Sequence, residues 1–317
     1  MNLHVVYSSD DNYAQHVGVS MLSLLENNKE FSTIDVYIIE NNISKKSKNH
    51  LISISNNYDR NLHFISLKDY SNRLKLNIGN SISINSYARL FLTSILGEEI
   101  DKVLYMDCDS IITSSLAELW QKDISEYYVA GVSDTVGNST KEKINMDSKS
   151  PYINAGMLLV NLKKWRENHI ERAFIDFIDS YNGKVYHHDQ GTINGVLEGK
   201  MLLIHPKYNA MTTFFTMKKE EIFKYYGMQE YYSSKELIEA KNKPVFVHFT
   251  PAFVNRPWIK GNKHPLAYQY QHYLEKTPWK GTKMDEDKRS IGEKIVATLF
   301  NNLPFTMAFS IRRLIFK

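Results

Sequence analysis

Two carboxylates stand inside an apolar run of this sequence. Residues 103–112 read VLYMDCDSII, so Asp107 and Asp109 flank Cys108, the only cysteine of the chain. In a strand, side chains at positions i and i+2 point the same way. The two carboxylates would then converge, while Cys108 would face the opposite side, into the core. Two converging carboxylates at neutral pH require a cation between them, or one of them must hold a proton.

A divalent metal ion is the cation that best suits these acids. Carboxylate oxygens are ligands of Mg²⁺ and Mn²⁺, and these ions commonly take substrate phosphates as further ligands. The alternative is a strand that ends at Met106 and continues as a solvated turn. The apolar flanks favour the metal site, because they leave little water for the acids. His248 follows another apolar run and is the candidate third ligand, although a lone histidine there is more often structural.

The surrounding elements indicate how these residues are brought together. Apolar runs alternate with helical patterns in the order strand 3–7, helix 13–27, strand 35–39, helix 44–56, strand 62–65. This alternation predicts an open α/β sheet of parallel strands, whose ligands lie beyond the carboxyl ends of the strands. The acids and the polar residues 8–12 both lie at such ends. Further patterns predict helices over 86–96 and 162–179 and strands over 127–132, 157–160 and 245–249.

Composition excludes several classes of protein. The 317 residues suffice for one large domain, or for one domain with an appendage. A net charge of +4 is too small to indicate nucleic-acid binding. One cysteine excludes an internal disulfide and is typical of a reducing compartment. We find neither a signal peptide in MNLHVVYSSDD nor an apolar run of about 18 residues, and we therefore expect a cytoplasmic protein.

The C-terminal segment differs from the rest. Residues 280–290 are charged, and residues 291–317 are apolar and basic, with no acid after Glu293 and with Pro304 dividing them in two. Such a tail suits an anchor on the inner face of the cell membrane. The alternative is a C-terminal helix packed on the domain. We therefore predict a catalytic domain at 1–280 and a basic, apolar tail at 281–317.

Six segments of the first 280 residues match a known family in order. They are VVYSSDDNYAQHVGVSMLSLL at 5–25, ISINSYARLFL at 82–92, VLYMDCDSII at 103–112, NAGMLLVNLKKWR at 154–166, HHDQGTIN at 187–194 and VHFTPAFVNRPW at 247–258. With them the chain resembles the retaining glycosyltransferases of family 8, which include glycogenin and the bacterial lipooligosaccharide α-galactosyltransferases. The galactosyltransferase branch is the most similar. The resemblance implies a GT-A-type, Rossmann-like nucleotide-diphospho-sugar transferase fold, with a mostly parallel central sheet.

The resemblance also implies roles for individual residues. The nucleotide would be bound by Ser8 through its backbone and by Asp10 and Asn12. From its position next to Asn12, we expect Tyr13 to stack on uracil. One Mn²⁺ ion, or Mg²⁺, would be held by Asp107, Asp109 and His248. The donor sugar and its phosphates would meet Arg89, Asp134, Asn154, Asp189 and Gln190. Taken singly, Asp10 or Asn12 could be a helix N-cap, Arg89 a surface cation, and Asp134 or Asn154 a turn residue.

One segment departs from the family pattern. The family reads H-x-x-G-x-x-K-P-W, in which the lysine binds the diphosphate. Here the histidine is followed by FTPAFVNRPW, which is two residues longer and has Pro251 where glycine is usual. Arg256 takes the place of the lysine and can offer phosphate a bidentate fork. Lys260 and Lys263 are the alternatives for this role.

The implied activity is a Mn²⁺-dependent transfer of a hexose from a UDP-sugar to a glycan acceptor, forming an α-linkage. UDP-galactose is the favoured donor and UDP-glucose the alternative, and we expect no nucleic-acid partner. Retention would arise from same-face attack, which we favour, or from a covalent intermediate with Asp189 as the nucleophile. A non-catalytic binding module would be expected to lose its metal ligands first. A nucleotidyltransferase would carry a glycine-rich phosphate loop, which SSDDNYAQH is not.

Overall fold

A computed structural model describes residues 1–68 and 84–315 of the chain. Its strands are β1 Asn2–Asp10, β2 Thr33–Asn41, β3 Asn61–Ser66, β4 Lys102–Met106, β5 Ser110–Ile112, β6 Val129–Ser133, β7 Ile153–Asn161, β8 Met201–Leu203, β9 Ala210–Met211 and β10 Phe246–His248. Residues 82 and 83 of the second family segment and the last two residues of the tail lie outside the described part.

The first helices of the described residues are α1 Ala14–Asn27, α2 Lys45–Asn56, α3 Ile84–Tyr87, α4 Leu92–Ile95, α5 Ala117–Trp120, α6 Asn138–Glu142, α7 Leu162–Glu167 and α8 Ile170–Ser180. They are followed by α9 His188–Val196, α10 Thr212–Thr216, α11 Lys219–Tyr226, α12 Ser234–Asn242, α13 Ala267–Leu274, α14 Ile291–Asn302 and α15 Phe305–Ile315. Ala88–Phe91 and Pro206–Asn209 form short 3-10 helices.

The strands form two sheets. The larger has the order β3-β2-β1-β4-β7-β6-β8, and the smaller has the order β5-β10-β9. In the larger sheet β1 pairs in parallel with β2 and β4, β2 with β3, and β6 with β8, whereas β7 runs antiparallel to both its neighbours. The predicted mostly parallel α/β sheet is therefore confirmed.

The central sheet separates two apolar cores. Along β4, Leu104 and Met106 pack into the core beneath α1, while Val103 and Tyr105 pack into the core on the other face. This alternation is the period of two that a strand imposes. Cys108 is buried in the same core as Leu104 and Met106, as predicted.

The acids lie on a crossover between the two sheets. We predicted one continuous strand, but β4 ends at Met106 and Ser110 begins β5 of the smaller sheet. The Asp107 N–H still donates to the Gly156 carbonyl of β7 (2.8 Å), whereas the Asp109 carbonyl accepts from the N–H of Phe249 (2.9 Å). The apolar pattern conceals this break, since both sides of it are buried. The solvated turn that we considered does not describe Asp109, which is only 7% exposed, whereas the Asp107 side chain is 26% exposed.

Two predicted helices are interrupted in the structure. The helix expected over 86–96 is divided into α3, a 3-10 turn and α4. Arg89 lies in that turn, buried, and its Nε donates to the Ser86 carbonyl (3.2 Å). The helix expected over 162–179 is divided into α7 and α8 at His169, whose φ of 50° is left-handed. The expected core side chains Trp165 and Phe174 are nevertheless buried.

The C-terminal hairpin, residues 291–315, consists of α14 and α15 with the predicted division before Pro304. Its aromatic side chains pack on the domain, where Phe300 stacks on Phe253 with ring centroids 4.0 Å apart. Its other side leaves Ile291 79% and Leu314 75% exposed. In the part of the chain that the structure describes, we find no helix with the length and hydropathy of a membrane span.

Candidate active site

The two acids of the crossover and the histidine at the end of β10 form a three-residue cluster. His248 Nε2 lies 3.1 Å from Asp109 Oδ1 and 3.8 Å from Asp107 Oδ2. One ligand atom from each residue can be chosen so that all three lie within 4.8 Å of one another. The predicted convergence of these residues is confirmed. Carboxylate oxygens and an imidazole nitrogen are together a set that Mn²⁺ accepts, whereas Mg²⁺ favours oxygen alone.

Two arginines neutralise the carboxylates. Arg89 Nη2 donates to Asp107 Oδ1 (2.8 Å), and Arg256 Nη2 donates to Asp109 Oδ2 (2.7 Å). Of the three cations considered for the diphosphate, only Arg256 lies at the acids. Lys260 pairs instead with Glu286, and Lys263 is exposed. We call Asp107, Asp109, His248, Arg89 and Arg256 the reaction centre.

Charge compensation shifts the proton equilibria of this buried group. Burial alone would raise the pKa of Asp109, but the positive charges of His248 and Arg256 outweigh it and hold that pKa well below its usual range. Burial would likewise lower the pKa of His248, and Asp109 raises it above its ordinary value. The centre therefore favours the ionised form of Asp109, which is the state a metal ion needs.

Arg89 also connects the acids to the predicted sugar-binding residues. Its Nε lies 2.9 Å from Asp189 Oδ2, so one guanidinium bridges Asp107 and Asp189. Asp189 is 8% exposed, and burial raises its pKa, while Arg89 opposes this shift. The guanidinium lies over the ring of Tyr105, 4.4 Å from its centroid. Arg89 is therefore not the exposed helix-surface cation that we considered.

The Asp134 carboxylate accepts hydrogen bonds from the remaining sugar-site candidates. Its Oδ2 accepts from Gln190 Nε2 (2.8 Å) and from Asn154 Nδ2 (3.0 Å). Gln190 Oε1 in turn accepts from the Ala155 N–H (3.0 Å), so both ends of this amide are fixed. The structure thus brings Asp134, Asn154 and Gln190 into contact, while their binding of a sugar stays a prediction.

The predicted nucleotide residues lie at the carboxyl end of β1. The Ser8 carbonyl accepts from Cys108 Sγ (3.2 Å), which ties this strand end to the crossover. Asp10 Oδ1 accepts from the Tyr13 N–H (3.2 Å), and Asn12 is exposed. Neither is the N-cap that we considered, because Tyr13 is the N-cap residue of α1. Tyr13 is 37% exposed; burial raises its pKa, and Arg256 opposes this shift. Nucleotide binding by these residues stays a prediction.

Two residues of the site were not assigned from the sequence. Gly156 lies against the His248 ring, where an added Cβ would come within 2.0 Å of Cε1. Asn209 is fully buried, and its Oδ1 lies 3.1 Å from His248 Nδ1. Gly156 was part of the segment NAGMLLVNLKKWR but carried no role. The signal for Asn209 was an amide between the apolar neighbours Tyr208 and Ala210, which is weak without the fold.

Comparisons with known proteins agree with this geometry. The model of the family described as Glycosyl transferase family 8 matches residues 4–261. General stress protein A of Bacillus subtilis strain 168 is 27% identical over 281 residues, which cover 87% of this chain and 94% of that protein. The lipopolysaccharide 1,2-glucosyltransferase of Escherichia coli K12 is 27% identical over 282 residues, covering 88% and 79%.

A solved structure extends the agreement to the fold. The galactosyltransferase LgtC, crystallised with donor and acceptor sugar analogues, matches with a TM-score of 0.70 at 25% identity. The match covers 87% of this chain and 96% of that chain. The predicted GT-A-type fold is therefore confirmed.

Proposed function

This chain belongs to glycosyl transferase family 8 and is a hexosyltransferase, and we propose that it moves galactose from UDP-galactose to a glycan hydroxyl with retention of the α-configuration. UDP-glucose is the alternative donor, because the two sugars differ at a single hydroxyl and the Escherichia coli relative is a glucosyltransferase. Surface polysaccharide, lipooligosaccharide and glycoprotein glycans are the acceptor classes. We assign catalysis to residues 1–280 and a separate surface role to residues 281–317.

This proposal is carried by one observation: three potential metal ligands converge beside the guanidinium group of Arg256. Asp107, Asp109 and His248 would hold Mn²⁺, and their ligand atoms lie within 4.8 Å of one another. Bound there, the ion supplies Lewis-acid stabilisation of the negative charge on the departing diphosphate. Arg256, 2.7 Å from Asp109, adds a second positive charge on the leaving-group side.

The environment of Asp189 and Gln190 supports same-face attack. Asp189 is ion-paired with Arg89 at 2.9 Å, and both ends of the Gln190 amide are hydrogen-bonded within the protein. Neither group is an unengaged nucleophile, so we assign them to positioning. The bond from the anomeric carbon to UDP breaks with its electron pair leaving on UDP. The acceptor oxygen bonds to the same face, and its proton passes to the departing phosphate.

We infer that the exposed side of the C-terminal hairpin lies on the inner face of the cell membrane, in a cytoplasmic enzyme. Ile291, Leu314 and Ile315 are 79%, 75% and 55% exposed, and Arg312 and Arg313 directly precede Leu314 on α15. Apolar side chains next to basic ones favour anionic lipid surfaces. Replacing these three apolar residues by serine should abolish flotation with anionic vesicles. Replacing Ile238, 58% exposed on α12, should not, and equal flotation of all variants would contradict the assignment.

A donor screen tests the enzymatic proposal. The protein is incubated with Mn²⁺, each UDP-hexose and a set of acceptor glycans, and released UDP is measured. We expect release that is fastest with UDP-galactose, is abolished by chelation and is restored by Mn²⁺. Faster turnover of UDP-glucose would select the alternative donor. The absence of UDP release from every sugar, with and without acceptor, would overturn the proposal.

A further inference from the structure

Four polar side chains form a continuous series of hydrogen bonds from the sugar-site residue Asp134, which is partly exposed, to the buried metal-site residue His248. Asn154 Nδ2 donates to Asp134 Oδ2 at 3.0 Å, and Asn209 Nδ2 donates to Asn154 Oδ1 at 2.9 Å. Asn209 Oδ1 then lies 3.1 Å from His248 Nδ1. Asn209 is 0%, His248 4% and Asn154 7% exposed, so bulk water does not compete for these bonds.

One backbone N–H group fixes the donor and the acceptor of every hydrogen bond in this series of side chains. The Gly156 N–H donates to Asn154 Oδ1 at 2.9 Å, and a backbone N–H can only donate, so this atom of Asn154 is its oxygen. The amide nitrogen of Asn154 must then face the Asp134 carboxylate, which only accepts. Since Asn154 presents an oxygen to Asn209, Asn209 presents its NH₂ group there and its own oxygen to His248.

The last bond therefore decides where a proton lies on the imidazole. An amide oxygen carries no proton, so the Nδ1 atom of His248 must be the donor in its contact with Asn209. Nε2 lies 3.1 Å from the Asp109 carboxylate, which only accepts, so it carries a proton in the metal-free ring. It is the ring nitrogen that would release this proton and give its electron pair to a metal. Gly156 lets the ring take up this position, because any larger residue would overlap Cε1.

We propose that Asn209 is a positioning residue for the metal site, which fixes the Nδ1-protonated tautomer of His248 and so makes Nε2 the ligand. The inference rests on the proposed metal-dependent transfer. It adds Asn209 as the residue that fixes the tautomer of the metal ligand His248. This series of hydrogen bonds begins at Asp134, so it also holds the sugar site and the metal site in a fixed position relative to each other. The competing explanation is that Asn209 only fills space in the core.

The first test measures Mn²⁺ affinity without substrate, from the electron paramagnetic resonance signal of the free ion. Asn209→Leu keeps the approximate volume and removes both hydrogen bonds. Mutations of second-shell partners typically weaken metal binding about 10- to 100-fold, and we expect that range. The control is Asn28→Leu, since Asn28 is equally buried and bonds only backbone, accepting from the Leu116 N–H and donating to the Leu24 carbonyl. It should lower the unfolding midpoint but leave the Mn²⁺ affinity within about twofold.

The second test observes the proton itself and needs no metal. In protein labelled with ¹⁵N-histidine, with the resonance assigned through His248→Ala, we expect a slowly exchanging Nδ1 proton that Asn209→Leu removes. A wild-type ring without that proton would overturn the inference, and so would equal Mn²⁺ affinities of Asn209→Leu and Asn28→Leu. A wild type that binds no Mn²⁺ would instead overturn the proposed function, while the Nδ1 proton would still decide the inference.

Discussion

The reaction centre and the C-terminal hairpin are held in place by different forces. In the reaction centre, charged side chains make bonds of fixed direction, such as the 2.7 Å contact of Arg256 with Asp109. In the hairpin, Phe300 and its aromatic neighbours pack by area, and Ile291 remains 79% exposed. Directional bonds fix atoms to within tenths of an ångström, whereas aromatic packing tolerates small shifts. The reaction centre is therefore expected to be sensitive to the replacement of single atoms. The attachment of the hairpin is expected to depend on the area that its side chains bury.

One segment, residues 249–258, touches both regions. On its inner side Arg256 Nε donates to the Phe249 carbonyl at 3.1 Å and Nη2 to Asp109. On its outer side the Phe253 ring stacks on Phe300, and its carbonyl accepts from Asn301 Nδ2 at 2.9 Å. The hairpin thus supports the segment that carries Arg256. Substitutions on the inner side and on the outer side of residues 249–258 therefore test the directional bonds and the aromatic packing separately.

The largest effect is expected from Asp109→Asn. Loss of the carboxylate charge removes a metal ligand and leaves Arg256 and His248 without their partner, so UDP release should fall by at least about 10²- to 10³-fold. The free energy of unfolding should fall by about 3 kcal/mol, since a buried pair is broken. The matched change near the hairpin is Asp287→Asn, whose partner Arg289 is partly exposed. It should cost no more than about 1 kcal/mol and keep activity, and equal losses in the two variants would contradict the comparison.

The next largest effect is expected from Gly156→Ala. A Cβ at this position would lie 2.0 Å from His248 Cε1, so the ring must move away from Asp107 and Asp109. We expect Mn²⁺ binding to weaken about tenfold or more, as for the loss of a second-shell contact, and stability to fall by about 1–3 kcal/mol. The control is Gly97→Ala, where the new Cβ would meet only the flexible, exposed Glu99 side chain. Unchanged Mn²⁺ affinity in Gly156→Ala would show that the ring position is not critical.

A smaller effect is expected from acid, through a histidine beside residues 249–258. His264 packs on the rings of Phe249 and Phe215, and burial lowers its pKa to about 4. The native state then binds fewer protons than the unfolded state between about pH 6.5 and 4. The contribution of His264 to the free energy of unfolding is complete above that pH window. It is lost as the pH falls through the window, by up to about 1.4 kcal/mol per pH unit.

Unfolding by urea at pH 7 and pH 5 measures this loss. His264→Asn is the matched variant, because an asparagine oxygen can replace Nδ1 as the acceptor of the Leu266 N–H (3.1 Å) and does not titrate. Its stability should change less between the two pH values than that of the wild type. An identical pH dependence of both proteins would exclude His264 as the cause.

The smallest effect is expected from Phe300→Ala. Loss of the stack on Phe253 should raise the KM for the UDP-sugar a few-fold, with kcat less affected, because residues 249–258 hold Arg256 less firmly. Phe309→Ala is the control, since Phe309 contacts Tyr225 and Phe305 instead. In a double-mutant cycle, Arg256→Ala should cost less in the Phe300→Ala background. Strictly additive effects would show that the hairpin does not support the arginine.

The sequence allowed the reaction centre to be predicted better than its supports. Asp107, Asp109 and His248 could be grouped because each follows an apolar run, a purely local signal. Asn209 could not, because its partners His248 and Asn154 are 39 and 55 residues away and meet it only in the fold. The favoured continuous strand was wrong for a related reason, although a strand end at Met106 was the alternative. Residues on both sides of it are buried, so the apolar pattern continues while the backbone changes sheet.

Arg256 and the tail illustrate the same limit. Arg256 was favoured by its place before Pro257, but Lys260 carries the same charge. The fold separates the two, because Arg256 pairs with Asp109 whereas Lys260 pairs with Glu286. For the tail, the structure shows packing on the domain for one side, and membrane attachment of the other side stays a proposal. Phe300 packs on the domain, whereas Leu314 is 75% exposed. Composition reports how apolar a segment is, but it does not divide that surface between a domain and a membrane.

The position of the acids on the crossover couples metal binding to the assembly of the domain. Asp107 directly follows β4 of the larger sheet, whereas Asp109 directly precedes β5 and His248 ends β10 of the smaller sheet. An ion held by all three would therefore clamp the two sheets together. Folding and ion binding would then be thermodynamically linked. An ion at 100 times its Kd would stabilise the native state by about 2.7 kcal/mol. Starvation for manganese would then lower not only turnover but also the resistance of the enzyme to proteolysis.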